Sequence, residues 1–336
     1  MDYHFEFKFY RRPFRRPLIT GHGTWTTREG ILVRLEDGEG NIGYGEIAPL
    51  PSFGTESIEE ACAYCRDLKG QFNDHTLSLT DANIPACRFA LVSASEMLED
   101  KSGPSTGRKV PVAALLPSGR EALKFLDHYS SWGFKTYKWK IGVGELKSEQ
   151  AVFEELVSAS PGDVKFRLDA NGALTLRQAE EWLGFLDNHN IEFLEQPLPP
   201  TEIKTIFAVA EKYSTPIALD ESVSSIESLK SSAISGWPGF LVVKPSIMGS
   251  PLALRDWVEQ CKCPLIFSSV FETMVGFQGG LQLAAEYGAL GYAAGYGINS
   301  YFLNDGLALH GEGPDLNPNQ CSLKDFDKIW KQIGKN

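Results

Sequence analysis

Six polar residues recur at nearly even spacing through the second half of the chain: Lys140, Asp169, Glu195, Asp220, Lys244 and Ser268, with gaps of 29, 26, 25, 24 and 24 residues. Each closes a short apolar run, so each ends an expected β-strand, one strand–helix unit after the last. Equal phase in successive units sets all six at one end of a parallel barrel, the carboxyl end, where such folds carry their chemistry. Side-chain alternation adds direction. In Tyr137-Lys138-Trp139-Lys140-Ile141 the lysines share one face and the apolar residues the other. The apolar face belongs against helices, so Lys138 and Lys140 point into the barrel, as do Arg167 and Asp169 in Phe166-Arg167-Leu168-Asp169. Phe193, Ala218, Val242 and Ile266, each two residues before a polar end, supply an apolar layer beneath.

Three neighbouring carboxylates, Asp169, Glu195 and Asp220, repel one another there, and burial with like charge shifts their pKa values upward. A hard divalent cation removes the difficulty. With no His or Cys among these positions, Mg²⁺ is the expected ion and Mn²⁺ its substitute. Lys140 and Lys244 stand on the second and sixth expected barrel strands, across the mouth from one another. A lysine beside a second ammonium has its pKa lowered and can act as a base near neutrality, and Lys138 is placed to supply that neighbouring charge. Cation and ammonium together can stabilise an enediolate, so the expected chemistry is removal of a proton α to a carboxylate.

The elements that must position these residues are short strands alternating with amphipathic helices. The expected strands are Val110–Leu116, Thr136–Ile141, Lys165–Leu168, Ile191–Leu194, Pro216–Leu219, Phe240–Val243, Pro264–Phe267 and Tyr292–Gly297. Between them lie helical patterns such as Glu149–Ala159, Leu176–Asn188, Glu202–Tyr213, Ile226–Ile234 and Leu252–Gln260. Eight strands with helical crossovers predict a closed α/β barrel. The first hundred residues read instead as α+β: a strand at Tyr3–Phe9, a hairpin of Gly30–Leu35 and Ile42–Gly45, and helices at Ser57–Leu68 and Ala86–Glu99. The turn-rich segment Lys101–Lys109 reads as a linker. The expected division is an α+β domain over 1–109, a barrel over 110–309, and a segment 310–336 that packs back on the first domain with Trp330 as anchor.

The motifs, in order, resemble those of the enolase superfamily, muconate-lactonising-like branch: Lys138-Trp139-Lys140, Leu168-Asp169-Ala170-Asn171, Leu194-Glu195-Gln196-Pro197-Leu198, Leu219-Asp220-Glu221-Ser222 and Val243-Lys244-Pro245. Gly43-Tyr44-Gly45-Glu46-Ile47-Ala48-Pro49-Leu50-Pro51 is similar to the hairpin and loop of that superfamily's capping domain. The resemblance covers residues 1 to about 310. It implies a modified (β/α)7β barrel of the TIM type, an N-terminal α+β capping domain, and one Mg²⁺ bound by Asp169, Glu195 and Asp220. It also implies Lys140 as the base and Lys244 as the group that steadies the enediolate by charge and cation–π contact.

Within the branch, the short chain, Ala48–Pro51 and Ser268-Ser269-Val270-Phe271-Glu272-Thr273 are most similar to a family of synthases. These dehydrate 2-succinyl-6-hydroxy-2,4-cyclohexadiene-1-carboxylate to an aromatic acid in menaquinone or phylloquinone biosynthesis. Arg167, Ser268 and Ser269 are then candidate substrate contacts, and Leu18–Trp25 a candidate lid. The same lysines and metal also serve N-succinylamino acid racemases and dipeptide epimerases. Dipeptide epimerases usually carry an acidic pair at the end of the eighth strand, whereas Gly295-Tyr296-Gly297-Ile298-Asn299 is followed by no acid until Asp305. That favours a small, anionic, amine-free carboxylate, a test that acylated amines also pass.

Composition narrows the remaining classes. The chain has 336 residues, a formal net charge of −11, 43 % hydrophobic and 22 % charged residues, as expected of a soluble globular protein. Its acidity argues against nucleic-acid and anionic-membrane partners. No apolar run approaches the ~20 residues that cross a bilayer, and Met1–Glu6 does not read as a secretory signal, so the expected compartment is the cytoplasm. The six cysteines read as free thiols, the CxxC at Cys62 and Cys65 lying within a helical pattern. Gly103–Gly107 fits GxSxG in the wrong strand–helix order, and Gly43–Ala48 fits GxGxxA with prolines where a helix must follow, so no nucleotide cofactor is expected. Of the six histidines only His22, in the candidate lid, is placed to meet a substrate. Trp132, Trp182 and Trp257 read as packing residues, and Arg11, Arg12, Arg15 and Arg16 as a solvated strand end. The outer helices leave the oligomeric state open.

Overall fold

The computed structural model describes residues 2–20, 23–68, 72–78, 80, 83–99, 107–298, 301–302, 305–308 and 313–334. Gly21, His22, Asn299, His310 and residues 101–106 of the expected linker therefore lie outside the described residues.

A long hairpin founds the N-terminal part. Strand β1 (Asp2–Thr20) runs antiparallel to β2 (Gly23–Glu36), from His4 opposite Glu36 to Thr20 opposite Gly23, with a register shift between Pro13 and Leu18. β1 is far longer than the expected Tyr3–Phe9. Among the described residues its outer side pairs with the two-residue β4 (Phe72–Asn73) and bridges Phe302 at Phe14, and Pro13 and Pro17, having no N–H to donate to a ladder, stand in this edge strand. β2 continues into β3 (Ile42–Ile47), and helices α1 (Ile58–Asp67), α2 (Asp74–Ser78) and α3 (Pro85–Glu99) follow. Gly43 and Gly45 are explained by α3. A Cβ on either would lie 2.0 Å from a backbone oxygen of that helix, at Ala94 and Ala90 respectively. The two glycines serve close helix–strand approach, not a phosphate.

Eight parallel strands form the second layer: β5 (Val110–Leu115), β6 (Thr136–Lys140), β7 (Lys165–Asp169), β8 (Ile191–Glu195), β9 (Ile217–Leu219), β10 (Phe240–Val243), β11 (Leu265–Phe267) and β12 (Ala294–Gly297). They pair in the order β11-β10-β9-β8-β7-β6-β5-β12, and a bridge between Ser268 and Gly295 joins the two ends of that order into a barrel. The crossovers are α4 (Leu126–Ser131), α5 (Leu146–Ala159), α6 (Leu176–Leu186), α7 (Ile203–Ala210), α8 (Ile226–Ile234), α9 (Pro251–Val258) and α10 (Met274–Tyr287). Tyr137 and Trp139 are buried in the strand–helix core, while Phe193, Ala218, Val242 and Ile266 form, with Phe240, a separate apolar cluster inside the barrel. That is the layer their alternation predicts.

Two helices escape simple periodicity. α10 is buried nearly all round and carries three glycines, so it shows no polar stripe. α11 (Leu323–Gln332), which follows a short β13 (Asp315–Leu316) paired with β5, lies against the N-terminal sheet. Trp330 packs 6.1 Å from the Tyr44 ring, and Lys8 bonds the carbonyls of Trp330 and Ile333 at 2.7 and 3.1 Å. That cation completes the helix's carboxyl end. Among the described residues no helix is long and apolar enough to cross a membrane.

The expectation of a solvated arginine run is wrong at Arg12. Its side chain is 1 % exposed, paired with Asp305 at 2.6 Å and stacked 3.5 Å from the centre of the Phe302 ring. Burial of the strand against the barrel mouth requires that partner.

Candidate active site

The carboxyl ends of the barrel strands open into a cleft. Lys138, Lys140, Asp169, Asp220, Lys244, Ser268 and Ser269 line it, and Leu18, Trp25, Leu50 and Phe53 cover it from the N-terminal part. Leu18 and Trp25 are the described ends of the segment expected to form a lid.

Adjacent strands bring the acids together. Asp169 ends β7 directly opposite Glu195, which ends β8, and Asp220 follows β9. All three are buried. Lys138 bridges Glu195 at 2.7 Å and Asp169 at 2.9 Å. Lys140 bonds Asp169 at 2.7 Å and also Asn171. Lys244 bonds Asp220 and stands 4.5 Å from the centre of the Phe53 ring. Of the sequence-derived acids Glu195 alone does not line the cleft; it is held behind Lys138.

The acids do not respond alike, which corrects the expectation that all three rise. Burial would raise Asp169, but Lys138 and Lys140 outweigh it and hold its carboxyl well below the ordinary range. Burial, with Asp169 and Asp220 nearby, pushes Glu195 up to about 7. Asp220 is also raised, by burial and by Glu221. Lys138 is an ammonium: burial works against its charge, but Asp169, Glu195 and Asp220 carry its pKa well above the ordinary value.

Among the described residues no three His, Cys, Asp or Glu side chains are already gathered around one point in metal-holding geometry. Each of the three acids is drawn onto a lysine instead. The donor set nevertheless fits a hard cation: the ligands are oxygen only and buried.

Arg167 is not a cleft residue, contrary to expectation. Its guanidinium is buried one layer lower, paired with Glu192 at 2.6 Å and 4.7 Å from the centre of the Phe193 ring. Ser268 bonds the carbonyl of Gly295 at 3.3 Å, and Ser269 donates to Glu272. Both keep their places in the cleft wall. Asn171 and Gln196 carry no role in the sequence reading, although both fall within its motifs. Each takes a positive φ, 45° and 37°, uncommon outside glycine. Asn171 accepts a hydrogen bond from Lys140 Nζ, and Gln196 accepts from the backbone N–H of Asp220 at 3.0 Å and of Ser222 at 3.1 Å. Their backbone conformation is the feature that sequence periodicity does not carry.

Residues 5–98 match the family described as MenC, N-terminal domain, and residues 121–311 match Enolase C-terminal domain-like. The chain is 36 % identical over 335 residues to the o-succinylbenzoate synthase of Thermosynechococcus vestitus, covering 98 % of both chains. It belongs to the o-succinylbenzoate synthase family of the enolase superfamily. Members of that family are hydro-lyases of menaquinone biosynthesis, and this chain is one of them. The o-succinylbenzoate synthase of Thermosynechococcus elongatus, solved with Mg in its active site, superposes with a TM-score of 0.85 at 33 % identity, over 98 % of this chain and 100 % of that one. The L-Ala-D/L-Glu epimerase of Bacillus subtilis, at 20 % identity and a TM-score of 0.77 over 89 % of this chain and 90 % of that one, shares the fold. The enolase-superfamily resemblance and the capped barrel expected from the motifs are both borne out.

Proposed function

We propose that this family member dehydrates 2-succinyl-6-hydroxy-2,4-cyclohexadiene-1-carboxylate to 2-succinylbenzoate with Lys140 as the base. The observation that carries the reading is the placement of Lys140 on β6 and Lys244 after β10, four strands apart in an eight-stranded barrel and lining one cleft. Substrate between them meets one lysine on each side.

Lys140 hydrogen-bonds two acceptors, Asp169 and Asn171. As a neutral amine it has two N–H bonds to give them, and its lone pair stays free for a substrate proton. Asp169, Glu195 and Asp220 would hold Mg²⁺, with Mn²⁺ as a substitute. When bound, the ion supplies positive charge next to the substrate carboxylate as the enediolate forms. Lys138 keeps the acids in place. Lys244, held against Asp220 and Phe53, adds its charge to the developing enediolate on the far side. Collapse of the enediolate breaks the C–O bond at the neighbouring carbon. Lys140 then returns its proton to the departing hydroxide, so water leaves and the ring becomes aromatic. Ser268 and Ser269 are the substrate contacts that remain from the sequence reading.

Asp169 and Asp220 are the only acids lining the cleft among the described residues, and both are engaged by lysines. A free substrate amine finds no carboxylate, which supports an amine-free anion. The six cysteines are unbridged, in keeping with a cytoplasmic enzyme. The deciding experiment incubates the protein with the cyclohexadiene substrate and Mg²⁺ and follows the diene absorbance. Loss of absorbance supports the reading; folded protein with no loss removes it. Deuterium uptake from D₂O into N-succinylamino acids, without dehydration, would establish the racemase instead.

A further inference from the structure

The ladder between β7 and β8 contains an irregularity beneath the acids. Phe166 stands opposite Ile191, but the next pair is Arg167 opposite Phe193, so Glu192 is an extra residue on β8. After this bulge the register continues as Leu168 opposite Leu194 and Asp169 opposite Glu195. Without it, counting on from Phe166 and Ile191 would put Leu194 opposite Asp169. A one-residue slip in a strand turns every side chain to the other face. Glu195 would then leave the barrel interior, and Leu194, now packed in the outer core, would enter it.

The extra residue has a partner. Glu192 is buried and pairs at 2.6 Å with the buried Arg167, the residue that faces the bulge across the ladder. Such a pair is a poor source of stability, because taking both charges out of water costs as much as their attraction returns. It is also incompletely satisfied: Nη2 of Arg167 finds no acceptor among the described residues. In some proteins a buried polar group of this kind fixes register.

We propose that Arg167 and Glu192 are positioning residues that pin the β8 bulge and thereby set Glu195 beside Asp169 in the cation site. The inference rests on the reading of Glu195 as a cation ligand. It assigns Arg167 an indirect role in place of the substrate contact expected from sequence, and gives Glu192 a role for the first time. Bulges next to active sites re-aim side chains in this way.

The test is Mg²⁺ titration of the full chain by calorimetry. Replacing both partners by apolar residues of similar volume, Arg167→Met with Glu192→Leu, should leave the melting temperature at or above that of the parent. Mg²⁺ affinity should fall tenfold or more, the range seen when residues supporting a metal ligand are lost. At saturating Mg²⁺ the turnover number should recover to within a few-fold, which a general loosening of the barrel would not allow. Affinity within twofold of the parent overturns the proposal. If the double variant does not fold, Glu192→Gln takes its place, with at least threefold weaker binding expected and unchanged binding overturning. Glu195→Gln separates the two layers of the argument. If it binds Mg²⁺ as the parent does, the ligand reading and the proposal fall together. If it loses Mg²⁺ while the Arg167 and Glu192 variants keep it, only the proposal falls.

Discussion

Glu46, on β3 of the N-terminal sheet, accepts the backbone N–H of Thr273 at 2.9 Å and so caps a barrel helix 227 residues away in sequence. The same carboxylate takes the N–H of Gly276 at 2.9 Å and the Tyr10 hydroxyl at 2.6 Å. A buried anion at a helix N-terminus satisfies orphan donors and meets the positive end of the helix dipole. It also anchors the far end of the segment that carries Ser268, Ser269 and Phe271 into the cleft.

Removing that carboxylate leaves buried donors without partners. Glu46→Ala should cost about 3 kcal/mol or more of folding stability, measured by urea unfolding, and should raise KM because the cleft wall loses its anchor. A cost below about 1 kcal/mol would contradict the capping role.

Lys140→Ala removes the base while leaving the three acids and Lys138. The turnover number should drop by a factor of about 10²–10⁴, followed as diene loss, while calorimetry still detects Mg²⁺ binding. Retained turnover would move the base to another residue.

Lys244 lies over the Phe53 ring at 4.5 Å, so the N-terminal part helps to set the ammonium's position. A cation–π contact in a partly dry site amounts to about 1–2 kcal/mol. Phe53→Leu, which keeps apolar cover but not the ring face, should therefore lower kcat/KM by roughly tenfold. Parent-like kinetics in Phe53→Leu would show that cover alone matters.

Acid should loosen α11. Ser322 and Lys328 hold Asp325 down from 3.8 to about 2, and Tyr44, then Lys331, lower Asp327. Depressed carboxylates contribute stability that is complete above their ordinary pKa and is lost as pH falls through the folded value. Undocking is thus expected between about pH 4 and 2, visible as a red shift of Trp330 emission. Tyr44→Phe should weaken docking at neutral pH and flatten the acid dependence; an unchanged profile would assign the transition elsewhere.

Much of the site was legible because it obeys two periods, about 25 residues along the chain and two along each strand. Lys138, Lys140, Asp169, Glu195, Asp220 and Lys244 all meet where those periods put them. Glu192 defeated the same logic. By alternation from Glu195 it should face outward, and only the bulge turns it toward Arg167. Arg12 was misread for a different reason: its partner, Asp305, is 293 residues away, and no local pattern encodes a contact of that range. α10 lacked a polar stripe because both of its sides are buried. Phe53 and Leu50 stand in a loop whose path depends on the barrel mouth beneath it.

The docking of α11 on the N-terminal sheet also has a consequence for biogenesis. Lys8 and Trp330 are 322 positions apart, and Tyr44 and Asp327 are 283 apart. A sheet whose partners lie at that distance stays partly uncovered on the ribosome until the whole barrel has been translated. Closing such long loops is slow, and it leaves apolar surface open to chance encounters meanwhile.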